Sequence, residues 1–415
     1  MTTTKNNEHK KLNFSSEREQ SQVCLNSAEH EKNQGRKVLN VPNLRFPEFQ
    51  GEWEEKRLSE IADLFKGNGI SKEQLTDTGE PCILYGELYT KYKSEVISDI
   101  FSKTDIDTRK LVKSKANDVI IPCSGETAVD IATARCVPYD NILLGGDLNI
   151  IRLYDCDGSF MSYQLNGKRK YDIAKVAQGV SVVHLYGDHL KGVKTYNPCL
   201  EEQKKIAKLL SLLDERITTQ NKIIEDLKKL KSAISKNLLC NDKWTTYKIQ
   251  DIAEIGRGRV ISSVEIDRQK HPLYPVYSSQ TSNDGIMGYL DNYMFDGEYI
   301  TWTTDGANAG TVFYRKGKFN CTNVCGTLKI QPKFDCYFVS LVLQQATQKY
   351  VSSNLANPKL MNNTMASIKI RMPNIETQKQ LSKVFQTLDS CLLVHQRTCK
   401  MYLSEKQYLL CQMFI

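Results

Sequence analysis

Two long heptad patterns are the clearest alternation of apolar and polar positions in the chain. Apolar residues recur at steps of four and three from Ile206 to Leu238, and the same steps run from Leu381 to Met413. Neither stretch contains Pro or Gly, and charged residues occupy the outer positions. A heptad seam of nearly five repeats is typical of a coiled coil. The pattern therefore predicts two helices that bury their seams against each other in an antiparallel pair.

The predicted seam has polar residues at matching places in the two helices. Gln220 corresponds to His395, and Lys231 corresponds to Lys406. Either the helices fray towards solvent at these positions, or they face a third partner or fix the register of the pair with polar seam residues. The seam and partner-contacting residues that we predict are Ile206, Leu210, Leu213, Ile217, Gln220, Ile224, Leu227, Lys231, Leu381, Phe385, Leu388, Leu392, His395, Tyr402 and Lys406.

The two predicted helices begin with similar sequences. The stretch Pro198–Ile217 aligns without a gap to Pro373–Leu392, and both copies share Pro, Glu, Gln, two Lys, Leu and Asp. Proline marks the break before each helix, and Glu in the first turn favours the N-terminal end of the helix dipole. At about 1.5 Å per residue, a helix of this pattern is roughly 60 Å long.

The rest of the chain is duplicated as well. WEEKRLSEIADLFKGNGIS from Trp53 matches WTTYKIQDIAEIGRGRVIS from Trp244. Further on, NDVIIPCSG from Asn117 has the character of GEYITWTTDG from Gly297, and each reads as a strand that enters a loop. Matches in the same order along the chain indicate two copies of one unit, each opening with Trp and closing with a long helix.

The fold that we predict is α+β, with two pseudo-symmetric globular α/β domains separated by an antiparallel two-helix coiled coil. We call the two globular domains the first head and the second head. The predicted boundaries are a polar, disordered tail at 1–40, the first head at 41–199, a central helix at 200–240, the second head at 241–374 and a C-terminal helix at 375–415.

Composition limits the classes of protein to which the chain can belong. Its 415 residues suit two or more domains, and its net charge of +8 permits a polyanionic partner. The chain has no uninterrupted run of 18 apolar residues and no apolar N-terminal segment, so we expect neither a transmembrane helix nor export. The 13 cysteines are scattered, and we expect free thiols in the cytoplasm. Cys321 and Cys325 lack a second pair and a nearby His, so we expect no metal site.

Catalytic signatures are missing from the sequence. It contains no GxxxxGK[ST] phosphate loop, no GxGxxG after a strand and no HExxH. Asn197-Pro198-Cys199 lacks the second Pro and the aromatic residue of an amino-methyltransferase motif. The sequence therefore predicts a binding protein without catalytic residues of its own.

The loops of both heads combine cationic, amide, hydroxyl and aromatic side chains, which are the types that grip phosphates and read base edges. They differ greatly between the heads, whereas the framework and the helices match, as expected for two readers of different sequences. The DNA-binding residues that we predict are Lys66, Asn68, Tyr85, Glu87, Lys91, Ser124, Thr127, Ser181, His184, Arg257, Arg259, Ser278, Ser279, Thr303, Thr304, Asn308, Lys359, Asn362 and Asn363.

Taken together, these segments resemble the specificity subunit of type I restriction–modification systems over about residues 41–415. The resemblance is carried by LRFPEFQGEWEEKRLSEIA from Leu44, the restart at Trp244, DGEYITWTTDGANAG from Asp296 and the two P-x-x-E-x-Q-K helix starts. The forty N-terminal residues depart from the family pattern, which puts the natural start site or the role of the tail in question.

The resemblance implies a division of labour between subunits. Each head would be a target-recognition domain that reads half of a bipartite, asymmetric DNA site, and the coiled coil would set the unread spacer. Two modification subunits would bring S-adenosylmethionine and methylate adenine N6, and restriction subunits would use ATP and magnesium. This chain would hold no cofactor. Two alternatives stay open: a self-sufficient endonuclease for bipartite sites, or a scaffold that binds only protein.

Overall fold

The computed structural model describes residues 39–179, 182–238, 243–352 and 357–415. The chain divides into two units: the first runs to Thr219 and includes Cys399–Ile415, and the second is Gln220–Thr398. The tail predicted at 1–40 lies outside the described residues, apart from residues 39 and 40. Both long helices are divided between the units, whereas each head lies within one of them.

The first head is built from short strands and short helices that precede one long helix. Its strands are β1 (Glu54–Arg57), β2 (Ala62–Lys66), β3 (Leu75–Thr76), β4 (Glu80–Ile83), β5 (Ser102–Thr104), β6 (Val112–Lys113), β7 (Asp118–Pro122), β8 (Ser124–Gly125), β9 (Arg135–Val137), β10 (Leu143–Leu144), β11 (Leu148–Leu153), β12 (Val183–His184) and β13 (Lys194–Asn197). Its helices are α1 (Leu58–Ile61), α2 (Glu87–Thr90), α3 (Ala128–Ile131), α4 (Gly158–Asn166), α5 (Lys170–Val176) and α6 (Gly187–Lys191), followed by the long α7 (Leu200–Leu238). Single 3-10 turns lie at Lys72–Gln74 and Thr108–Lys110.

The second head has longer strands. They are β14 (Thr245–Lys248), β15 (Ala253–Arg257), β16 (Tyr274–Tyr277), β17 (Ile286–Leu290), β18 (Phe295–Thr303), β19 (Val312–Cys321), β20 (Cys325–Ile330) and β21 (Lys369–Met372). Its helices are α8 (Ile249–Ile252), α9 (Ser263–Asp267), α10 (Cys336–Ala346) and α11 (Asn362–Ser367), followed by the long α12 (Ile375–Gln412), with 3-10 turns at Ser282–Gly285 and Thr347–Tyr350.

The two heads share a framework of sheets and differ in what is added to it. In the first head the sheet order is β2-β11-β7-β9, beside a separate five-stranded sheet β3-β5-β4-β10-β6. In the second head a single six-stranded sheet, β15-β20-β18-β19-β16-β17, takes the place of both. A two-stranded ladder closes each head, β1 with β13 and β14 with β21. The shared part is the duplicated framework that the repeats predict.

The closing ladders show the duplication residue by residue. Glu54 pairs with Asn197 in the first ladder, and Thr245 pairs with Met372 in the second. The two strands of each ladder lie just after the Trp that opens a sequence copy and just before the Pro that precedes its long helix. The ladder therefore brings the two ends of each head together at the start of the long helix.

An aromatic contact joins the opening Trp of each copy to a helix of its head. Trp53 packs against Phe160 of α4 with ring centroids 5.8 Å apart, and Trp244 packs against Phe338 of α10 at 5.9 Å. Both helices are capped in the same way, since Asp157 accepts a hydrogen bond from the Phe160 N–H and Asp335 accepts one from the Phe338 N–H. This packing explains why the Trp recurs in the sequence.

The repeated Gln of the two helix starts has the same buried role in both copies. In the first copy, Gln203 donates through Nε2 to the Pro198 carbonyl at 2.9 Å and accepts from the Asp157 N–H at 2.9 Å. In the second copy, Gln378 makes the corresponding bonds to Pro373 and Asp335 at 2.8 and 3.0 Å. One amide thus connects the start of the long helix to the cap of the head helix.

The two long helices run antiparallel to each other within each unit. In the first unit, Ile206 and Leu210 of α7 share a core cluster with Leu410 and Met413 of α12. In the second unit, Ile234 of α7 packs on a cluster that contains Phe385 of α12. All the predicted seam residues are buried or half-buried, as expected of side chains that face another element.

Candidate nucleic-acid interface

A cluster of three predicted residues forms at one edge of the first head. Lys66 ends β2, and its Nζ lies 5.5 Å from the centroid of the Tyr186 ring. The His184 ring stacks on Tyr186 with centroids 6.2 Å apart, and His184 Nδ1 lies 3.4 Å from Ser124 Oγ. We call Lys66, Ser124 and His184 the first corner. It combines a cation, a hydroxyl and an imidazole beside an exposed aromatic ring.

Bonds from neighbouring loops fix the position of Ser124. Its hydroxyl donates to Asp147 Oδ2 at 3.1 Å, and its carbonyl accepts from the Tyr89 hydroxyl at 2.9 Å. Ser124 also pairs with His184 in the two-stranded ladder of β8 and β12. The corner is therefore held by side chains from three separate loops of the first head.

Three further predicted residues of the first head lie in the short helix α2 or directly beside it. The ring of Tyr85 is exposed, whereas Glu87 is buried and accepts hydrogen bonds from the Leu84 N–H at 3.0 Å and from Lys91 Nζ at 2.7 Å. Ser102 donates to the same Glu87 carboxylate. The role of Glu87 is thus to hold the loop that carries Tyr85, and its carboxylate is not exposed to a ligand.

Asn68 and Thr127 lie on exposed turns of the first head. Asn68 donates through Nδ2 to the Lys110 carbonyl at 2.7 Å, and Thr127 caps α3 by accepting from the Asp130 N–H at 3.1 Å. Both side chains have local structural partners while their surroundings stay open to solvent. Ser181 lies outside the residues that the structure describes.

The second head forms a comparable cluster around Asp305. Arg257 ends β15 and donates through Nη2 to Thr304 Oγ1 at 3.0 Å and to Asp305 Oδ2 at 3.3 Å. Its Nε donates to the Asn323 carbonyl at 2.6 Å. Lys359 Nζ lies 3.7 Å from the other carboxylate oxygen of Asp305. We call Arg257, Asp305 and Lys359 the second corner.

The two corners occupy the same place in the shared framework. Lys66 faces Asn149 across the β2–β11 ladder, and Arg257 faces Gly326 across the β15–β20 ladder. In the next strand, Asn149 faces Ile121 and Gly326 faces Trp302. The loops that carry Ser124 and Asp305 begin at equivalent points after these strands.

The third member of each corner is also equivalent. His184 pairs with Ser124 in an antiparallel ladder, and Lys359 pairs with Asp305 in an antiparallel bridge. The following residue donates its N–H to an equivalent carbonyl at 2.9 Å in both heads, Leu185 to Cys123 and Leu360 to Thr304. One backbone arrangement thus presents Lys, Ser and His in the first head and Arg, Asp and Lys in the second.

The other predicted residues of the second head differ in accessibility. Thr303 and Thr304 are buried, and Thr303 is bonded through its backbone to Thr311 and Gly310. Asn363 is exposed, whereas the amide of Asn362 is half-buried near the Gly256 carbonyl. The two threonines therefore support the second corner, and Asn363 offers an open amide.

Arg259 lies near the second corner, but its guanidinium is occupied. It donates to both carboxylate oxygens of Glu265 and to the Val260 carbonyl. The hydrogen bond and the charge of Glu265 raise the pKa of Arg259, while the same interaction lowers the pKa of the Glu265 carboxyl. This ion pair neutralises the positive charge of Arg259.

Ser278 and Ser279 lie in a loop of the second head. A residue outside that loop, which the sequence patterns do not single out, holds it in place. Arg315 of β19 is buried, stacks 3.6 Å over the Tyr277 ring and donates to the Asp284 carbonyl and carboxylate at 2.8 and 2.7 Å. Asn308 donates to the Ser279 carbonyl at 3.1 Å. The serine loop is therefore a fixed surface beside the corner.

Sequence reasoning missed Tyr186, Asp147, Asp305 and Arg315. Tyr186 lies two residues after the predicted His184, and Asp305 directly follows the predicted Thr304, so the positions of both beside predicted residues could have indicated them. Asp147 and Arg315 carry no such local signal, because each reaches its partner across a strand pairing that is distant in sequence.

A metal centre has no support among the described residues. No group of three or more His, Cys, Asp or Glu side chains in these ranges could hold a metal ion. Burial raises the pKa of Cys325 to about 11 and also raises the pKa of Cys321, so both thiols are protonated at neutral pH. Protonated thiols are poor metal ligands. No helix in the described part of the chain is long and apolar enough to cross a membrane.

The matched polar residues of the helix pair face each other or the heads. Gln220 Oε1 lies 2.7 Å from His395 Nδ1, within the second unit. There too, Lys231 bonds the Asp389 carboxylate, to which the Tyr337 hydroxyl donates at 2.6 Å. These polar seam positions are internal contacts rather than frayed ends.

The first unit contains the equivalent cluster in a more buried form. Lys406 bonds Asp214 at 2.5 Å and also bonds Glu95, while the Tyr163 hydroxyl donates to Asp214 at 2.7 Å. Burial opposes the charge on Lys406, but Glu95 and Asp214 outweigh it and raise the pKa of the ammonium group. Burial also raises the pKa of the Asp214 carboxyl and of the Tyr163 hydroxyl.

Comparisons with known proteins agree with this architecture. The chain is 39% identical over 190 residues to a putative type I specificity subunit of Mycoplasma pneumoniae. The aligned region is 45% of this chain and 79% of that protein. It is also 43% identical over 145 residues to the specificity subunit of the type I restriction enzyme MpnII of the same organism. That aligned region is 35% of this chain and 43% of the relative.

Solved structures establish the fold. The crystal structure of a type I restriction–modification S subunit from M. genitalium matches 90% of this chain and 99% of its own, with a TM-score of 0.68 at 18% identity. A chain from a study of assembly and conformational transition in a type I system matches 87% of this chain and 97% of its own, with a TM-score of 0.50 at 13% identity. The predicted α+β fold with two matched heads and a helix pair is confirmed.

The family model for the type I restriction modification DNA specificity domain matches the chain twice, at residues 50–229 and 241–400. The two matches together span most of the chain and contain both corners. The predicted resemblance is therefore confirmed. The chain belongs to the specificity subunits of type I restriction–modification systems, which recognise DNA and work with the other subunits of those systems.

Proposed function

We propose that each head reads one half of a bipartite, asymmetric DNA site and that the helix pair sets the unread spacer between the halves. The observation that carries the proposal is the pair of equivalent corners. One backbone arrangement presents Lys66, Ser124 and His184 in one head and Arg257, Asp305 and Lys359 in the other. A shared framework with different side chains suits two readers of different sequences.

Phosphate contacts and base contacts would have separate roles in this reading. Lysine ammonium groups bind phosphates as point charges and give salt-dependent affinity, which positions the chain on DNA. Side chains with directed donors and acceptors discriminate bases in the major groove, at about 1–3 kcal/mol for a good bidentate contact. Both kinds of side chain are present at each corner or beside it.

The chain would act without catalytic residues of its own. We propose that it docks two modification subunits, which supply S-adenosylmethionine and methylate adenine N6, and in the full complex restriction subunits that use ATP and magnesium. A target adenine must leave the base stack before methylation, and the pocket that receives it would belong to the modification subunit. The role implies work in the cytoplasm, where the chromosomal DNA of a bacterium lies.

Methylation by reconstituted complexes tests this proposal. The purified chain should not methylate DNA with S-adenosylmethionine, whereas the chain with its modification subunit should methylate adenine at one bipartite sequence, mapped at base resolution. Methylation by the chain alone would contradict the proposal. Plasmid cleavage by the pure chain with magnesium would favour a self-sufficient endonuclease, and DNA behaviour that ignores both sequence and salt would favour a protein-only scaffold.

A further inference from the structure

The guanidinium of Arg257 is held in one orientation at the edge of the second head. Nε donates to the Asn323 carbonyl at 2.6 Å, and Nη2 donates to Thr304 Oγ1 at 3.0 Å. Thr304 is fully buried and therefore a fixed anchor. Two anchors on different nitrogens fix the plane of the group as well as its position.

From this geometry we propose that Arg257 reads a guanine in the half-site bound by the second head. The inference rests on the proposed function and adds to it a residue and a base. Guanine presents O6 and N7 as neighbouring acceptors in the major groove, and the two N–H groups of Arg257 Nη1 can donate to them. Holding the plane in advance reduces the entropy lost on binding.

One terminal nitrogen of Arg257, Nη1, is available for such a contact. Within the described part of the chain, Nη1 makes no hydrogen bond, and 35% of the side chain is exposed. Asp305 shares its carboxylate between Arg257 and Lys359, at 3.3 and 3.7 Å. Two cations on one carboxylate leave the second corner with a net positive charge, which suits DNA.

Neighbouring cations are less suited to reading a base. Arg259 has the same fork, but both oxygens of Glu265 and the Val260 carbonyl occupy it. Lys359 is a point charge without the paired donors of a fork. At the equivalent place in the first head, Lys66 lies over the Tyr186 ring, so the first head has no fork there. Arg257 is therefore the residue of the two corners that combines a fixed guanidinium plane with a nitrogen, Nη1, whose two N–H groups have no hydrogen-bond partner among the described residues.

Mapping of methylated bases in cells tests the inference through variants. With the wild-type chain and its partner subunits, the half-site of the second head should contain a guanine. Arg257→Lys and Arg257→Gln should relax or change that one position and leave the other half-site unchanged. Arg371→Lys, a control at an exposed arginine of β21 in the same head and outside the predicted DNA-binding residues, should leave the whole site unchanged. A site that keeps its guanine in both Arg257 variants would overturn the inference.

A second measurement uses the wild-type chain and so does not depend on the folding of variants. The assembled methyltransferase would be bound to DNA in which 7-deazaguanine, which lacks the N7 acceptor, replaces each guanine of the half-site in turn. One replacement should weaken binding by about 10- to 150-fold, because it removes a hydrogen bond from a charged donor. A half-site without guanine, or binding that no replacement weakens, would overturn the inference and leave the proposed function standing. Wild-type methylation at no bipartite site would instead contradict the proposed function, and the inference with it.

Discussion

The contact between Lys66 and Tyr186 leaves a cation exposed at the first corner, where we expect it to bind DNA. The Lys66 ammonium lies 5.5 Å from the aromatic centroid and is exposed at the end of β2. The ring attracts the cation by its quadrupole and holds it at the surface without neutralising it. An unneutralised ammonium is suited to a phosphate, whereas it lacks the directed fork that a bidentate base contact needs.

Lys66→Ala should therefore weaken DNA binding by the assembled methyltransferase without changing the methylated sequence. Loss of one phosphate contact lowers the slope of log affinity against log salt concentration by about 0.9. The measurement is a salt titration of binding to the wild-type site, together with mapping of the methylated bases.

Lys175→Ala provides the matched control for Lys66. It removes the same charge from an exposed lysine of α5 in the same head, which lies outside the predicted surface. Its salt slope should stay at the wild-type value. A Lys66 variant with an unchanged slope, or with a changed methylation site, would show that Lys66 does not contact phosphate in the way described.

The sequence reveals that the same residues recur at the starts of the two long helices, but it does not reveal what the repeated Gln does. The sequence shows Pro and Gln at the same places in both copies, and a helix start follows from Pro and Glu alone. The bonds of Gln203 to Asp157 and of Gln378 to Asp335 depend on the folding of each head back onto its own helix. Local rules do not contain that information.

At the scale of elements, one lysine of each long helix bonds an aspartate of the other, and a tyrosine of the adjoining head bonds the same aspartate. Tyr163 and Tyr337 donate to Asp214 and Asp389 respectively. The two copies differ in burial: the side chain of Lys406 is 12% exposed between two carboxylates, whereas Lys231 is 27% exposed beside one. The equivalence permits a direct comparison of a buried and a more open ion pair.

Lys406→Met should destabilise the chain much more than Lys231→Met. The first change removes the ammonium that bonds the buried Glu95 and Asp214 carboxylates and leaves Arg135 as the nearby cation, and breaking such a buried pair costs about 3–5 kcal/mol. The second removes a partly exposed pair, for which about 0–1 kcal/mol is typical. Calorimetric unfolding of the full-length variants measures the difference, and the two substitutions control for each other because they make the same chemical change at equivalent positions.

The loss of stability that Lys406→Met causes should also become smaller as the pH falls. Without the ammonium, burial raises the folded-state pKa of Asp214 further above its unfolded value, so the folded state binds more protons and gains stability as the pH decreases. Equal destabilisation by the two substitutions, or a deficit that does not vary with pH, would contradict this account of the first cluster.

Periodicity predicted the paired helices well because the heptad rule depends only on residues close in sequence. It predicted neither the five-stranded sheet of the first head nor the single six-stranded sheet of the second. Those sheets depend on parallel pairings such as Leu143 with Cys82, whose partners are far apart in the chain. The corners arise from the same long-range registers, and the sequence could therefore name Lys66, Ser124 and His184 without placing them together.

At the scale of the whole molecule, comparison of the two copies distinguishes the contacts that they share from the parts in which they differ. The closing ladders, the Trp–Phe contacts and the Gln–Asp bonds are the same in both copies. The added sheets and the corner side chains differ. A chain built in this way can vary the loops and added sheets of one head without altering the start of either long helix.

Independent reading by the two heads is the central claim, and exchange of one head tests it most directly. Residues 41–199 would be replaced by the same region of a relative with a different target, and methylated adenines would be mapped at base resolution in cells that also make the partner subunits. We expect one half of the bipartite site to change, with the other half and the spacer length preserved. A change in both halves, or no change in either, would contradict the claim.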